Sequence, residues 1–405
     1  MGIITYKKRI LFLLVMLIAL AQCGLALYIP SLPSISIALK ASPNLVQLTV
    51  VYYIIGIGVS QLIYGPLSDH YGRKRTVLFG VYVFLIGTIL AVSSKSIYVL
   101  LSARLIQGLG IGSATTISRA ILRDVFKDKE YVKIGSQLAG AVAIAPIIAP
   151  ILGGVVQADF GWRCIFYLLL LMTIIMLVCW HIMFKETNFH INKEKISILP
   201  ILQNYSLVIK TPTFIKNVIC CGLIYSGEVV FLSITPFLVQ TKLGLSSSIY
   251  GWMLFFVICG YMLGTNISTR LSNKIKCSEL TLTGVSICSL ASIIMLIFGV
   301  YNIFNIMSLA FALSLFMLGA GFVYPNTSVS AVSKFPDMAG TASALFSSGQ
   351  GALAAIAGIL ASVMHSNTLG SMAYILVVLS LLSLLCILII SQFEKRVVVS
   401  QLEID

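Results

Sequence analysis

Two side chains in this sequence carry charge where everything around them is apolar. Arg104 falls within residues 98–118, an otherwise uncharged run, and Glu228 within residues 215–238, where the other charge is Lys216 at the very start. A guanidinium held against hydrocarbon is costly and turns toward an acid, backbone carbonyls or a wet interior. Arg104 is therefore expected to face a central cavity, or to pair with carbonyls where Pro30 breaks the chain. A carboxylate at the middle of a membrane helix costs about 2.5–3.5 kcal/mol to insert, so one left there usually has a use. How tightly a carboxyl holds its proton depends on wetting and on nearby charge, which makes Glu228 the candidate for binding and releasing a proton. Two other readings of Glu228 stay open: a protonated acid hydrogen-bonded to a neighbouring helix, and a direct contact to a cationic ligand.

A third constellation is Gly65-Pro66-Leu67-Ser68-Asp69-His70-Tyr71-Gly72-Arg73-Lys74-Arg75. Gly65 and Gly72 suit a tight turn and close helix approach, Asp69 suits the positive end of a neighbouring helix, and the basic triplet suits an anionic membrane face. Asp124, at the far end of a later apolar run, supplies a second acid. Asp69, Arg73 and Asp124 are expected to form a latch of opposite charges. A fourth pattern, residues 140–154, holds Pro146, Pro150, Gly153 and Gly154. Two prolines four apart free carbonyls and bend a helix, while the glycines let helices approach closely.

Other chemistries lack their residues. The four histidines show no metal-ligand spacing, and no nucleophile elbow is present. The nine cysteines lie mostly in apolar runs without CxxC spacing, so they read as buried thiols. No metal, no cofactor and no enzyme activity are expected.

The elements that must position these residues follow from composition. Of 405 residues, 59% are hydrophobic and 10% charged, against about 25% charged in a soluble globule. So few polar side chains cannot cover a water-soluble surface, so the surrounding solvent is lipid. Apolar stretches predict twelve transmembrane helices near residues 10–30, 46–66, 76–94, 98–118, 135–156, 163–184, 215–238, 250–268, 279–299, 304–326, 341–364 and 371–391. Each must be helical because unpaired backbone groups are too costly in hydrocarbon. The run from Ile10 to Leu39 is too long for a secretory signal and reads as a first span.

Lys and Arg fall on alternate loops. With the N-terminus inside, the inner segments hold Lys7, Lys8, Arg9, Arg73, Lys74, Arg75, Arg119, Arg123, Lys127, Lys129 and Lys133, and more follow through Lys395 and Arg396. The outer segments hold Lys40, Lys95, Arg163 and Lys242. This asymmetry predicts both termini in the cytoplasm. The net charge of +14 thus belongs to loops facing anionic lipid, and nucleic acid is not expected as a partner. The longest polar stretch divides the chain into two six-helix bundles. Residues 1–190 are expected to form the first and 213–405 the second, with 191–212 as a cytoplasmic central loop. Such duplication is the expected plan of a transporter with a site between its halves.

The residue 65–75 string resembles the signature loop of the major facilitator superfamily. Residues 101–126, with Arg104, Gln107, Gly108 and Gly110, are similar to its fourth-helix motif. Residues 140–154 are similar to the fifth-helix motif of its exporters. Within the superfamily, Tyr28-Ile29-Pro30-Ser31-Leu32-Pro33, Arg123-Asp124, Phe160-Gly161-Trp162-Arg163, Tyr324-Pro325-Asn326 and residues 339–344 resemble the Bcr/CflA type of drug-resistance transporter. The resemblance implies a proton-coupled efflux antiporter of the bacterial inner membrane, working as a monomer by alternating access on drugs or small metabolites. Uptake, or dedicated metabolite or siderophore export, are the alternatives on the same fold. Relatives often carry an acid two residues before the matching Tyr, where this chain has Ala26. That leaves Glu228 as the acid within a span.

Overall fold

The computed structural model describes residues 2–126, 128–188, 198–364 and 368–402. Lys127, and the central-loop residues 189–197 with Lys193 and Lys195, lie outside the described residues. Every predicted span falls on a helix. These are α1 (Gly2–Ala26), the short α2 (Leu32–Ala38), α3 (Pro43–Tyr71), α4 (Arg73–Val92), α5 (Ile97–Val125), α6 (Asp128–Phe160) and α7 (Trp162–Met183). After α8 (Ile198–Ile209) follow α9 (Pro212–Phe237), α10 (Ser247–Leu271), α11 (Cys277–Val300), α12 (Ile306–Val332), α13 (Ala339–Val363) and α14 (Leu369–Leu402). Among the described residues eleven helices are long and apolar enough to cross a membrane, and the apolar stretch Ile144–Phe160 of α6 is shorter. Large apolar side chains such as Phe79, Leu171 and Phe256 stay exposed on the helix surfaces, as lipid-facing residues do.

Local chemistry sets the helix ends. Ser42 and Ser96 accept the backbone N–H of Leu45 and Val99 and so cap α3 and α5. Asn305 and Ser308 form a reciprocal capping box on α12. Gly72, at φ +90°, makes the whole break between α3 and α4, a conformation that favours glycine. The first span is broken: α1 ends at Ala26, a 3₁₀ turn runs Ile29–Ser31 with Pro30 inside, and α2 follows. Residues at span ends read above as loop are helical. Arg119, Arg123 and Asp124 ride on α5, and residues 198–209 of the expected central loop form α8.

The chain divides into two compact units. The first comprises residues 1–201, 232–255 and 358–365, and the second residues 202–231, 256–357 and 366–405. In the first unit α5 is the hub. A side chain at Gly56 would meet the backbone of Leu105 and Leu109, and one at Gly110 the backbone of Phe84 and Gly80, so α3 and α4 press directly on α5. In the second unit α12 takes the same place. Gly260 and Gly264 of α10 face the backbone of Ser314 and Leu318, and Gly284 of α11 faces Gly319. Small residues at these crossings let packing hold helices together where lipid supplies no hydrophobic drive.

Candidate functional site

Three polar clusters stand out, each inside one unit. The first surrounds Arg104, which is fully buried on α5. Its Nη1 donates to the carbonyl of Gly24 on α1 and to Oε1 of Gln107, both at 2.9 Å. Gln107 Nε2 donates in turn to Thr88 on α4 at 2.9 Å. The guanidinium lies between two rings, 4.3 Å from the Tyr28 centroid and 4.1 Å from that of Tyr53. Tyr53 Oη donates to the Ala21 carbonyl at 3.0 Å, and Tyr28 Oη is paired with Thr49. Nε and Nη2 have no hydrogen-bond partner among the described residues. The charge is balanced by two ring faces, each worth about 2 kcal/mol when desolvated, and by the carbonyl freed near the break in the first span. Arg104 thus ties α5 to α1 and α3, and through Gln107 to α4, without exposed surface, and the carbonyl it takes, that of Gly24, lies earlier in the chain than the Pro30 break itself.

The second cluster gathers the residues expected to form a latch. Arg73, buried at the first position of α4, donates through Nη1 to Asp69 Oδ1 at 2.5 Å and to Ser68 Oγ at 2.6 Å, and through Nε to Asp124 Oδ2 at 3.0 Å. One guanidinium therefore joins the end of α3, the start of α4 and the end of α5. Asp69 is largely exposed and Asp124 mostly covered. Gly65 lies inside α3, where an added Cβ would meet only Thr116, at 3.8 Å, so the turn is made at Gly72 alone.

Glu186, just past α7, belongs to this latch and the sequence did not single it out. Its Oε1 accepts the backbone N–H of Arg73 at 2.9 Å and those of Thr187 and Asn188 at 3.0 Å, and its Oε2 accepts that of Lys74 at 3.0 Å. The carboxylate occupies the positive N-terminus of α4. Asn188 Nδ2 donates to the Asp69 carbonyl at 3.2 Å, and Lys74 Nζ to the His181 carbonyl at 3.1 Å. The segment after the sixth span is thereby tied to the loop after the second. A lone acid at the end of an apolar run was the available signal, but nothing in spacing links it to a residue 113 positions earlier.

The third cluster surrounds Glu228 on α9. Tyr324 Oη of α12 donates to its Oε2 at 2.6 Å. The Tyr324 ring packs on Tyr225 of α9 at 6.2 Å and on Tyr261 of α10 at 5.9 Å between centroids. Among the described residues the ion pairs are those of Lys7 with Glu130 and of Arg73 with its two acids, so Glu228 has none. The three tyrosines were not anticipated, apart from Tyr324 as part of a motif.

Gly153, Gly154 and Pro150 of α6 face close neighbours. Gly153 meets the backbone of Leu27, and Gly154 that of Ser247, whose Oγ donates to the Gly154 carbonyl at 2.9 Å. Pro146 and Pro150 sit within an unbroken α6, and the Pro150 carbonyl lies against Gly251.

Comparison with known proteins agrees with this architecture. The Major Facilitator Superfamily profile matches residues 14–359. Multidrug resistance protein D of Escherichia coli K12 is 28% identical over 382 residues, 93% of this chain and 94% of that one. A bicyclomycin resistance protein homolog of Haemophilus influenzae is 25% identical, over 91% of this chain and 93% of its own. A crystal structure of the peptide transporter POT in complex with sulfate superposes with a TM-score of 0.77 over 96% of this chain and 94% of that chain, at 14% identity. A helix at every predicted span, glycine-mediated crossings repeated in each unit, and similarity along nearly the full length to relatives of the bicyclomycin-resistance type lead to one assignment: the chain belongs to the major facilitator superfamily.

Proposed function

We propose that this protein is a proton-coupled exporter of drugs or small metabolites, working as a monomer in a bacterial cytoplasmic membrane with both termini inside. The observation that carries the coupling is Glu228. It is the carboxyl that lies in the middle of a span, whereas Asp69, Asp124 and Glu279 lie at span ends; it has no ion-pair partner among the described residues, and the Tyr324 phenol donates to it. Ionisable groups that interact with it include Tyr324, Tyr261 of α10 and Cys221 on its own helix. A carboxyl so placed takes up a proton when its surroundings dry and gives it up when they wet. Each coupled proton draws on the membrane potential, worth about 2.3 kcal/mol per 100 mV.

The other clusters support the same reading. Ala26 leaves Arg104 without a carboxylate from the first span, and the guanidinium instead fastens the backbone near the break in that span. The Arg73 latch holds three helix ends at the cytoplasmic face, which is where an access state is stabilised. Gly153 and Gly154, in the segment that resembles the exporters' fifth-helix motif, both lie close against neighbouring backbone.

The deciding measurement uses everted vesicles, a pH-sensitive dye and a panel of labelled drugs and metabolites. Substrate-induced proton release is expected for the unmodified protein and is expected to vanish in Glu228→Gln. Equal release by the two proteins eliminates Glu228 as the coupling residue, and accumulation inside intact cells instead of extrusion eliminates export.

A further inference from the structure

We propose that Trp162 and Phe166, at the start of α7, are positioning residues for transport: through the ring of Tyr28 they set the break in the first span and, with it, the seat of Arg104. These side chains stand in one row. The Arg163 guanidinium lies 4.2 Å from the Trp162 ring centroid. Trp162 and Phe166 are four apart on α7 and so share one face of it, with their rings edge to face at 6.1 Å and 90°. Phe166 packs in turn on Tyr28 at 5.8 Å and 48°, and Tyr28 covers the guanidinium of Arg104. Trp162, Phe166, Tyr28 and Arg104 are all buried. The near end of the row is fixed to the chain. Gly161, at φ +81°, makes the turn between α6 and α7, and Arg163 Nη2 donates to the Ser94 carbonyl, in the turn between α4 and α5, at 3.0 Å.

The break needs such a support. Pro30 has no N–H, so the helical bond from residue 30 to the Ala26 carbonyl cannot form. The chain turns instead on 3₁₀-type bonds, from the Ser31 N–H to the Tyr28 carbonyl and from the Leu32 N–H to that of Ile29. A segment held by so few backbone bonds bends readily, and its conformation is set by whatever fixes its side chains. Tyr28 is the residue so fixed: its hydroxyl pairs with Thr49 of α3, and its ring meets Arg104 of α5 and Phe166 of α7. Aromatic rings are rigid and prefer edge-to-face or tilted contacts, so a row of them passes on a displacement that flexible aliphatic chains absorb. Gly153 of α6 also lies against the backbone of Leu27, one residue before Tyr28. Movement of the α6–α7 turn is therefore handed to the break from two sides, and hinge positions of this kind set the balance between access states. The role is independent of Glu228, which belongs to the second unit.

The test uses the full-length protein in lipid nanodiscs and needs no substrate. Hydrogen–deuterium exchange of the peptide spanning Leu27 to Leu32 reads the break. Labelling by a charged maleimide of cysteines placed at the two ends of the spans reads the access states. Trp162→Leu and Phe166→Leu are expected to quicken exchange at the break fivefold or more and to change the ratio of the two labelling rates at least threefold, while the Ser42-capped start of α3 exchanges as before. Trp162→Phe keeps a ring and is expected to match the unmodified protein in both. Loss of packing alone lowers the melting temperature and leaves the labelling ratio where it was. Unchanged exchange at the break, an unchanged labelling ratio, or a Trp162→Phe variant as impaired as Trp162→Leu each overturn the proposal. A second measurement alters nothing on the Trp162–Phe166 face and so stands even where the Leu variants fail to fold. With Trp180→Phe and Trp252→Phe, Trp162 is the one tryptophan left, and its quenching by acrylamide is expected to rise at least twofold when Tyr28→Leu removes the ring at the far end. Quenching that Tyr28→Leu leaves unchanged overturns the link between α7 and the break.

Discussion

Glu186→Ala removes the carboxylate that accepts the first two amides of α4, and the size of the effect follows from the geometry. Arg73 and Lys74 have no intrahelical acceptor, because the first bond of that helix runs from the Thr76 N–H to the Gly72 carbonyl. Loss of a capping acceptor costs about 1 kcal/mol, within a range of roughly 0.5–2. Loss of the negative charge at the helix N-terminus adds about 0.3–1 kcal/mol. Together they lower the local opening free energy by about 1–3 kcal/mol, and each 1.4 kcal/mol is a factor of about ten in an equilibrium constant. Hydrogen–deuterium exchange of the peptide spanning Gly72 to Thr76 reads this directly. Exchange of the Arg73 and Lys74 amides is expected to quicken on the order of tenfold, while the Ser96-capped start of α5 keeps its wild-type rate. Glu186→Gln retains an acceptor oxygen but not the charge, and its effect is expected to fall between the two. Unchanged exchange at Arg73 and Lys74 in Glu186→Ala refutes the capping role and with it the attachment of the segment after α7 to the latch.

Asp69→Asn keeps the size of the side chain but removes one of two charges on Arg73, and it is expected to change transport together with the labelling rate of cysteines placed on the two membrane faces; wild-type values for both sink the latch. Arg73→Lys cannot reach Asp69, Asp124 and Ser68 at once and is expected to impair transport nearly as far as Arg73→Ala. Arg104→Ala leaves a void between Tyr28 and Tyr53 and frees the Gly24 carbonyl, so it is expected to lower thermal stability in detergent by several degrees, with Arg104→Lys recovering part of it; full activity in Arg104→Ala removes the residue from the mechanism. Gly108→Leu forces a side chain against the Tyr53 carbonyl and the Gly56 Cα, an overpacking that costs about 1–3 kcal/mol or more, and expression of folded protein is expected to drop; normal yield and melting contradict the close α3–α5 crossing.

Membrane residence and the positions of the spans were fixed by composition and hydropathy, because lipid demands long apolar helices and leaves little choice of structure. The 65–75 string was legible for the same kind of reason: Gly72 needs a positive φ and Arg73 a pair of acids, and both are local or carried by short motifs. Arg104 and Glu228 were found because a charge in a span is conspicuous. Their partners were not legible. That Tyr28, Tyr53 and Gly24 enclose Arg104, or that Tyr225, Tyr261 and Tyr324 gather at Glu228, depends on which faces of several different helices meet. An aromatic residue in a span looks the same in sequence whether it faces lipid or a carboxylate.

Glu186 shows the division most sharply. The sequence by itself determined that a carboxylate stands just past the end of the sixth span. Only the tertiary structure decided that this carboxylate completes a helix begun at Arg73, because a helix N-terminus presents amides to whatever acceptor folding brings within about 3 Å, and that neighbour is set by packing of α7 on α4 rather than by any local preference of the chain.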